Sequence, residues 1–163
     1  MDIAIISDTH IPSRASEIPP PFVERIRAAD HVIHAGDFDS EGALANIRAM
    51  APELTAVSGN MDRHMGLAFV ERVELGGQEF VVTHGAGSPR DYEQRIATAV
   101  EEHATTEDAI GVAGHTHEPC DIRHDGVRIL NPGSVTGAAP AELATMLAVT
   151  VDDDGVAVEF HSQ

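Results

Sequence analysis

Five short apolar runs, Ile3–Ser7, His31–Ala35, Leu54–Ser58, Phe80–Thr83 and Ile110–Ala113, are each followed directly by Asp, Gly or His. This rhythm limits the fold more than any other feature. Runs of four or five residues rich in β-branched side chains are too short for helices and read as buried strands. Between several of them lie helical repeats. One opens at Pro19-Pro20-Pro21, where Pro suits a first helical turn, and turns Val23 and Ile26 inward. A second starts near Ser40, with Ala43, Leu44, Ile47 and Met50 on one face, and stops before Pro52. A third starts at Ser88-Pro89 and carries Tyr92, Ile96, Ala99 and Val100. Strand and helix alternating over the first hundred residues imply βαβ units and a largely parallel sheet.

The remaining runs behave differently. Phe69–Leu75, Ile122–Leu130, Leu143–Val151 and Val156–Phe160 are strand-like and separated by turns such as His124-Asp125-Gly126 and Asp152-Asp153-Asp154-Gly155. These hairpins imply a second, mixed or antiparallel sheet. The expected fold class is α/β, a four-layer sandwich of two mixed β-sheets packed face to face with flanking helices. No linker or repeat interrupts the chain, so residues 1–163 are expected to form one domain. The three consecutive Asp residues read as a turn, because they lack the spaced oxygens and closing Glu of a calcium loop.

Charge narrows the partners. The chain carries 27 acidic residues against 10 basic ones, a formal charge of −17, and every basic residue is Arg. Lys is ordinarily among the commonest residues, so its absence alongside an acidic excess points to a salt-accumulating cytoplasm, where a Debye length of about 3 Å near 1 M screens self-repulsion. Extended nucleic acid is not an expected partner, since binding it requires clustered cations. The run Ile3–Ile6 is too short for a signal segment or membrane span, and the lone Cys120 suits a reducing compartment. A cytoplasmic protein that begins at its first strand and has no membrane partner is expected.

The residues after the strands carry the chemistry. Asp8-Thr9-His10 follows the first run, Gly36-Asp37 the second, Gly59-Asn60 the third, His84-Gly85 the fourth and Gly114-His115-Thr116-His117 the fifth, with Asn131-Pro132-Gly133-Ser134 behind them. In a wound α/β sheet, ligand sites collect beyond the strand carboxyl ends, so these side chains would gather along one edge. Singly each has an ordinary reading: a helix cap for Asp37, a turn for Asn60, a buried hydrogen-bonded ring for His84. Jointly they supply carboxylate, imidazole and amide ligands for two adjacent divalent cations.

In this order and spacing the motifs resemble the calcineurin-like metallophosphoesterase superfamily, and the short chain is similar to its compact bacterial and archaeal phosphodiesterase branch. The resemblance implies that Asp8, His10 and His117 hold one metal and Asn60, His84 and His115 the other, with Asp37 bridging. It implies two divalent ions, Mn²⁺ first, with Fe, Ni, Co or Zn as alternatives. A metal-bridging hydroxide would attack a small phosphodiester in line, with metals about 3.5–4 Å apart clamping the phosphate. Asp37, Asn60 and His115 are thereby assigned to catalysis through the metal-activated water. The larger members of the superfamily follow Gly-Asn with His, but here Met61 stands there, so no clear general acid is present and good leaving groups are expected. Asp62 reads as either an orienting carboxylate or a solvated turn residue, and His34 as a core ring rather than an acid. Arg63 reads as solvated. The fold also resembles that of Vps29, so a non-catalytic protein-binding scaffold is the alternative, and a metal-dependent nuclease a further one. A homodimer is expected from general frequency alone.

Overall fold

The computed structural model describes residues 1–163. Ten strands and three helices follow in chain order: β1 (Asp2–Ile6), α1 (Pro20–Ala28), β2 (His31–His34), α2 (Glu41–Met50), β3 (Leu54–Ala56), β4 (Val70–Leu75), β5 (Gln78–Thr83), α3 (Tyr92–His103), β6 (Ile110–Val112), β7 (Cys120–His124), β8 (Val127–Asn131), β9 (Thr145–Asp152) and β10 (Gly155–Ser162). One sheet has the order β10-β9-β1-β2-β3 and the other β4-β5-β6-β8-β7. Both are mixed. β1, β2 and β3 run parallel, as do β5, β6 and β8, while β9, β10, β4 and β7 add antiparallel pairs.

The strands alternate their side chains between two cores, which sets the layers. Ile3, Ile5, Ile33 and Val149 of the first sheet meet Phe80, Val82, Val112 and Leu130 of the second in a cluster of 14 buried residues. Ala4, Ile6 and Val32 face the other way, onto Phe22 and Ile26 of α1 and Ala43, Leu44 and Ile47 of α2. α3 covers the outer face of the second sheet through Tyr92, Ile96 and Val100. The layers are therefore two helices, two sheets and one helix. Ser40 caps α2 by accepting from Ala43 N, and Pro20 opens α1, as the sequence suggests.

Two expectations are corrected in detail. α1 buries Phe22 and Ile26, while Val23 is only half-buried, because the buried stripe takes Phe22, four residues before Ile26, in place of Val23, three before it. The chain also does not divide into an N-terminal and a C-terminal sheet. The final hairpin β9–β10 returns to pair with β1, and β5–β6 leave for the second sheet, so each sheet mixes early and late strands. Hydrophobic periodicity marks a strand but carries no information on its neighbour. No helix is long and apolar enough to cross a membrane.

Candidate metal centre

Asp8 and His10 follow β1, Asp37 follows β2, Asn60 follows β3, His84 follows β5, and His115 and His117 follow β6. The loops are held in an uncommon backbone state. Seven non-glycine residues have positive φ, and all but Asp125 belong here: Asp8 (51°), His10 (46°), Asp37 (63°), Asp39 (74°), His115 (73°) and His117 (61°). That region costs an L-residue roughly 1–2 kcal/mol, and such residues cluster where side chains must be aimed. Packing is equally tight. A Cβ at Gly59 would overlap the Asp37 carboxylate, and one at Gly114 would lie 2.6 Å from Asp8 Oδ2.

Within this frame, His117 Nε2 lies 3.3 Å from Asp8 Oδ1 and 3.2 Å from His10 Nε2. His10 Nε2 is 3.6 Å from Asp37 Oδ2, and His84 Nε2 is 3.3 Å from the same oxygen. Asn60 Oδ1 completes the second group, 3.1 Å from His84 Nε2. Two sets, Asp8/His10/His117 and Asp8/Asp37/His84, bring their donor atoms within 4.8 Å of one another, and all five residues are buried. His115 joins neither set. It is half-buried, its Nε2 lies 3.1 Å from Gly87 O, and its ring meets His84 edge-on at 5.2 Å.

The second ring nitrogens decide what this cluster wants. His117 Nδ1–H donates to Ala138 O at 2.7 Å, His84 Nδ1–H to Ala35 O at 2.7 Å, and His10 Nδ1–H to Asp39 Oδ1 at 2.8 Å. Each neutral ring then turns an Nε2 lone pair inward. Three nitrogen lone pairs, two carboxylates and an amide oxygen thus converge with no donor among them, an arrangement that repels itself unless positive charge enters. Proton affinities agree. Burial disfavours charge on His84, yet Asp37 and Asp8 raise its pKa above the ordinary imidazole value. Burial likewise opposes a charged His10, and Asp8, Asp39 and Asp37 raise it. Asp8 is buried too, but the His10, His117 and His84 rings around it hold its carboxyl well below the usual range. Imidazole, carboxylate and amide donors suit a borderline transition-metal cation, so the residues present fit a metal.

The family model of the calcineurin-like phosphoesterase superfamily domain matches residues 1–154. The chain belongs to that superfamily. Among relatives of this phosphoesterase domain, a probable metallophosphoesterase of Methanothermobacter thermautotrophicus is 36% identical over 138 residues, covering 83% of this chain and 78% of the relative. A Streptococcus pneumoniae protein described as a predicted phosphoesterase superposes with a TM-score of 0.74 at 26% identity, covering 99% of this chain and 88% of that one. Vps29 of Chaetomium thermophilum shares the fold, with a TM-score of 0.77, 22% identity, and 99% and 94% of the two chains covered.

The phosphoesterase domain also holds supporting residues of which the sequence gives little sign. Asp62, fully buried, accepts from the backbone N–H of Asp37 (2.6 Å), Phe38 (2.9 Å), Asp39 (3.1 Å) and Gly59 (2.9 Å). It is not a solvated turn residue but the tie between two of the site loops. Asp39, overlooked in the sequence, fixes the His10 tautomer; its only signal is its place two residues after Asp37. His34 is a core ring, as expected. It accepts from Gly36 N at 3.1 Å, lies 2.8 Å from Thr9 Oγ1 and stacks on Phe38 at 3.7 Å, and burial pushes its pKa down to about 3. The Asn131–Ser134 segment buttresses the site. Ser134 Oγ–H donates to Asp8 O at 2.7 Å, and Asn131 Nδ2–H donates to Thr116 Oγ1 at 2.9 Å.

Proposed function

We propose that this domain is a dinuclear-metal-dependent phosphodiesterase acting on small phosphodiesters. The observation that carries the reading is the convergence of inward-facing Nε2 lone pairs of His10, His117 and His84 on Asp8, Asp37 and Asn60. Asp8, His10 and His117 would hold one cation and Asn60, His84 and His115 the other, with Asp37 between them. Bound there, two divalent cations, Mn²⁺ first, supply Lewis acidity toward phosphoryl oxygens and a lowered pKa for water.

The chain's own residues orient and exclude. Asp39, Ala138 O and Ala35 O hold the three rings so that Nε2 faces inward. Asp62 keeps Asp37 and Asn60 on adjoining loops, and Met61 N–H donates to Asp37 Oδ1 at 2.9 Å, leaving Oδ2 toward His10 and His84. The side chain after Asn60 is Met61, 41% exposed, which can give no proton to a leaving alkoxide. Esters with acidic leaving groups are favoured accordingly.

Hydrolysis of an aryl phosphodiester and its matching monoester, by pure protein in molar KCl with Mn²⁺ added, tests the proposal. Diester turnover exceeding that of the monoester is expected. No turnover with Mn, Fe, Ni, Co or Zn in folded protein would instead favour a protein-binding scaffold, the reading that likeness to the Vps29 fold supports. Consistent with the charge of −17 and the absence of Lys, we place the protein in the cytoplasm of a salt-accumulating organism; a homodimer is proposed from general frequency alone.

A further inference from the structure

Beside Asn60 and His84 opens a cleft of about 450 Å³, within the range of small-molecule sites. Its far wall is α3 and its near wall is the segment leading into β4. There Phe69 is 65% exposed, more than any other large apolar side chain of the protein. A lone exposed Phe carries no message, but this one lies in the segment that enters β4 and lines the cleft beside the Asn60 and His84 loops. Ala68 O accepts from Ser58 N at 2.7 Å, one residue before Gly59. Val70 pairs with Thr83 at the end of the β4–β5 ladder, and the residues that adjoin this pair, Phe69 and His84, both line the cleft. Of the other aromatic residues, Phe22, Phe38 and Phe80 are fully buried and Tyr92 nearly so, while Phe160, 51% exposed on β10, does not line this cleft.

The rest of the lining selects among occupants. Only 4 of the 16 lining residues are hydrophobic, which does not suit an acyl chain. Arg63 and Arg95 bring two of the chain's ten cations to this one cleft of an acidic protein. The Arg95 guanidinium is pinned, donating to Gly85 O at 3.0 Å and Ser88 O at 2.8 Å. A flat apolar face with polar and cationic surroundings matches a planar aromatic ring that carries polar edges and sits next to a phosphate.

We infer that this cleft is a specificity subsite in which Phe69 stacks on an aromatic arm, an aryl group or a nucleobase, of the ester retained after hydrolysis. The inference rests on the phosphodiesterase reading. In the reaction, water oxygen bonds to phosphorus and gives up a proton to solvent, the bond from phosphorus to the leaving phenolate oxygen breaks with its electron pair going to that oxygen, and the aromatic arm departs as its monoester.

Three diesters with one common leaving group isolate the arm: methyl, phenyl and thymidine-5′ p-nitrophenyl phosphate, assayed with Mn²⁺. Wild-type kcat/KM is expected to exceed the methyl value by about tenfold or more for the aromatic arms, mainly through KM, as base stacking on an aromatic ring allows. A gain for phenyl alone assigns the arm to a simple aryl group; a further gain for thymidine assigns it to a nucleobase. Phe69→Ala should bring the ratio near one and Phe69→Tyr restore it. Equal kcat/KM across all three diesters, or an unchanged ratio in Phe69→Ala, overturns the subsite while the phosphodiesterase reading stands. Absence of any turnover overturns that reading instead, and calorimetric binding then decides the subsite. Thymidine 5′-monophosphate binding about tenfold tighter than methyl phosphate, with the margin lost in Phe69→Ala, upholds it, and equal affinities reject it.

Discussion

At the scale of single residues, the centre depends on groups that would never touch a substrate. Asp62 accepts four backbone N–H groups from the Asp37 and Gly59 segments. Removing a buried acceptor leaves its donors desolvated, at about 1–3 kcal/mol per group before water relaxes the site. Asp62→Ala is therefore expected to lower stability by about 3 kcal/mol or more, read from urea denaturation, and to weaken Mn²⁺ binding because Asn60 and Asp37 lose their common tie. A variant as stable and as avid for Mn²⁺ as wild type would show the tie to be dispensable. Asp39 acts on one ring only. Without its carboxylate the His10 imidazole can turn or change tautomer, and loss of such partners lowers metal affinity by roughly 10–100-fold. Asp39→Ala should show that loss in calorimetric Mn²⁺ titration, with a smaller fall in stability than Asp62→Ala because the buried Asp39 carboxylate accepts only from His10 Nδ1 and Ser13 Oγ.

Among elements, β5 does two jobs, leading directly into His84 and carrying Glu79 near its start. Glu79 is 3% exposed and accepts from Thr106 N at 2.8 Å, Thr105 N at 3.0 Å and Arg72 at 3.2 Å, so it fastens the turn after α3 to the sheet. Burial raises its pKa, but the Thr106 and Thr105 hydrogen bonds and Arg72 outweigh this and bring it down to about 2. A carboxyl depressed in the folded state stabilises above its unfolded pKa, and that contribution fades as pH falls from about 4.5 toward 2. Wild-type urea midpoints should thus drop between pH 5 and pH 3 more steeply than those of Glu79→Gln, which does not titrate; parallel slopes would reject the assignment. Strands, helix starts and turns were legible because each rests on local chemistry: β-branched runs, Pro19-Pro20-Pro21, the Ser40 cap and Asp125-Gly126. Which face of α1 is buried was not, since Phe22 and Val23 are equally apolar and only the facing sheet chooses between them.

For the whole molecule, a charge of −17 on 163 residues must be accommodated by the surface. Screening length falls from about 10 Å at 0.1 M salt to about 3 Å at 1 M, shorter than the usual spacing of surface carboxylates. The melting temperature is expected to rise when KCl is taken from 0.1 to 1 M, and a value independent of salt would remove the argument for a salt-adapted surface. Self-repulsion also bears on the site. Two divalent cations would add positive charge to the most buried acidic cluster, so Mn²⁺ should raise the melting temperature and a chelator lower it.

That Asp8, His10, Asp37, Asn60, His84 and His117 would gather at one edge was readable in the chain alone, because each follows a strand and strand ends in an α/β fold share an edge, whereas His115 falls outside both clusters. Composition alone likewise carried the acidic surface and the lack of Lys. Three things waited for the folded chain: the return of β9–β10 to β1, the tie made by Asp62 across 25 residues to Asp37, and the meeting of Phe69 and His84 in the lining of one cleft. All three are contacts between segments distant in sequence, and neither periodicity nor local propensity encodes which distant neighbour a residue will meet. Packing and the pairing of backbone donors across loops make that choice.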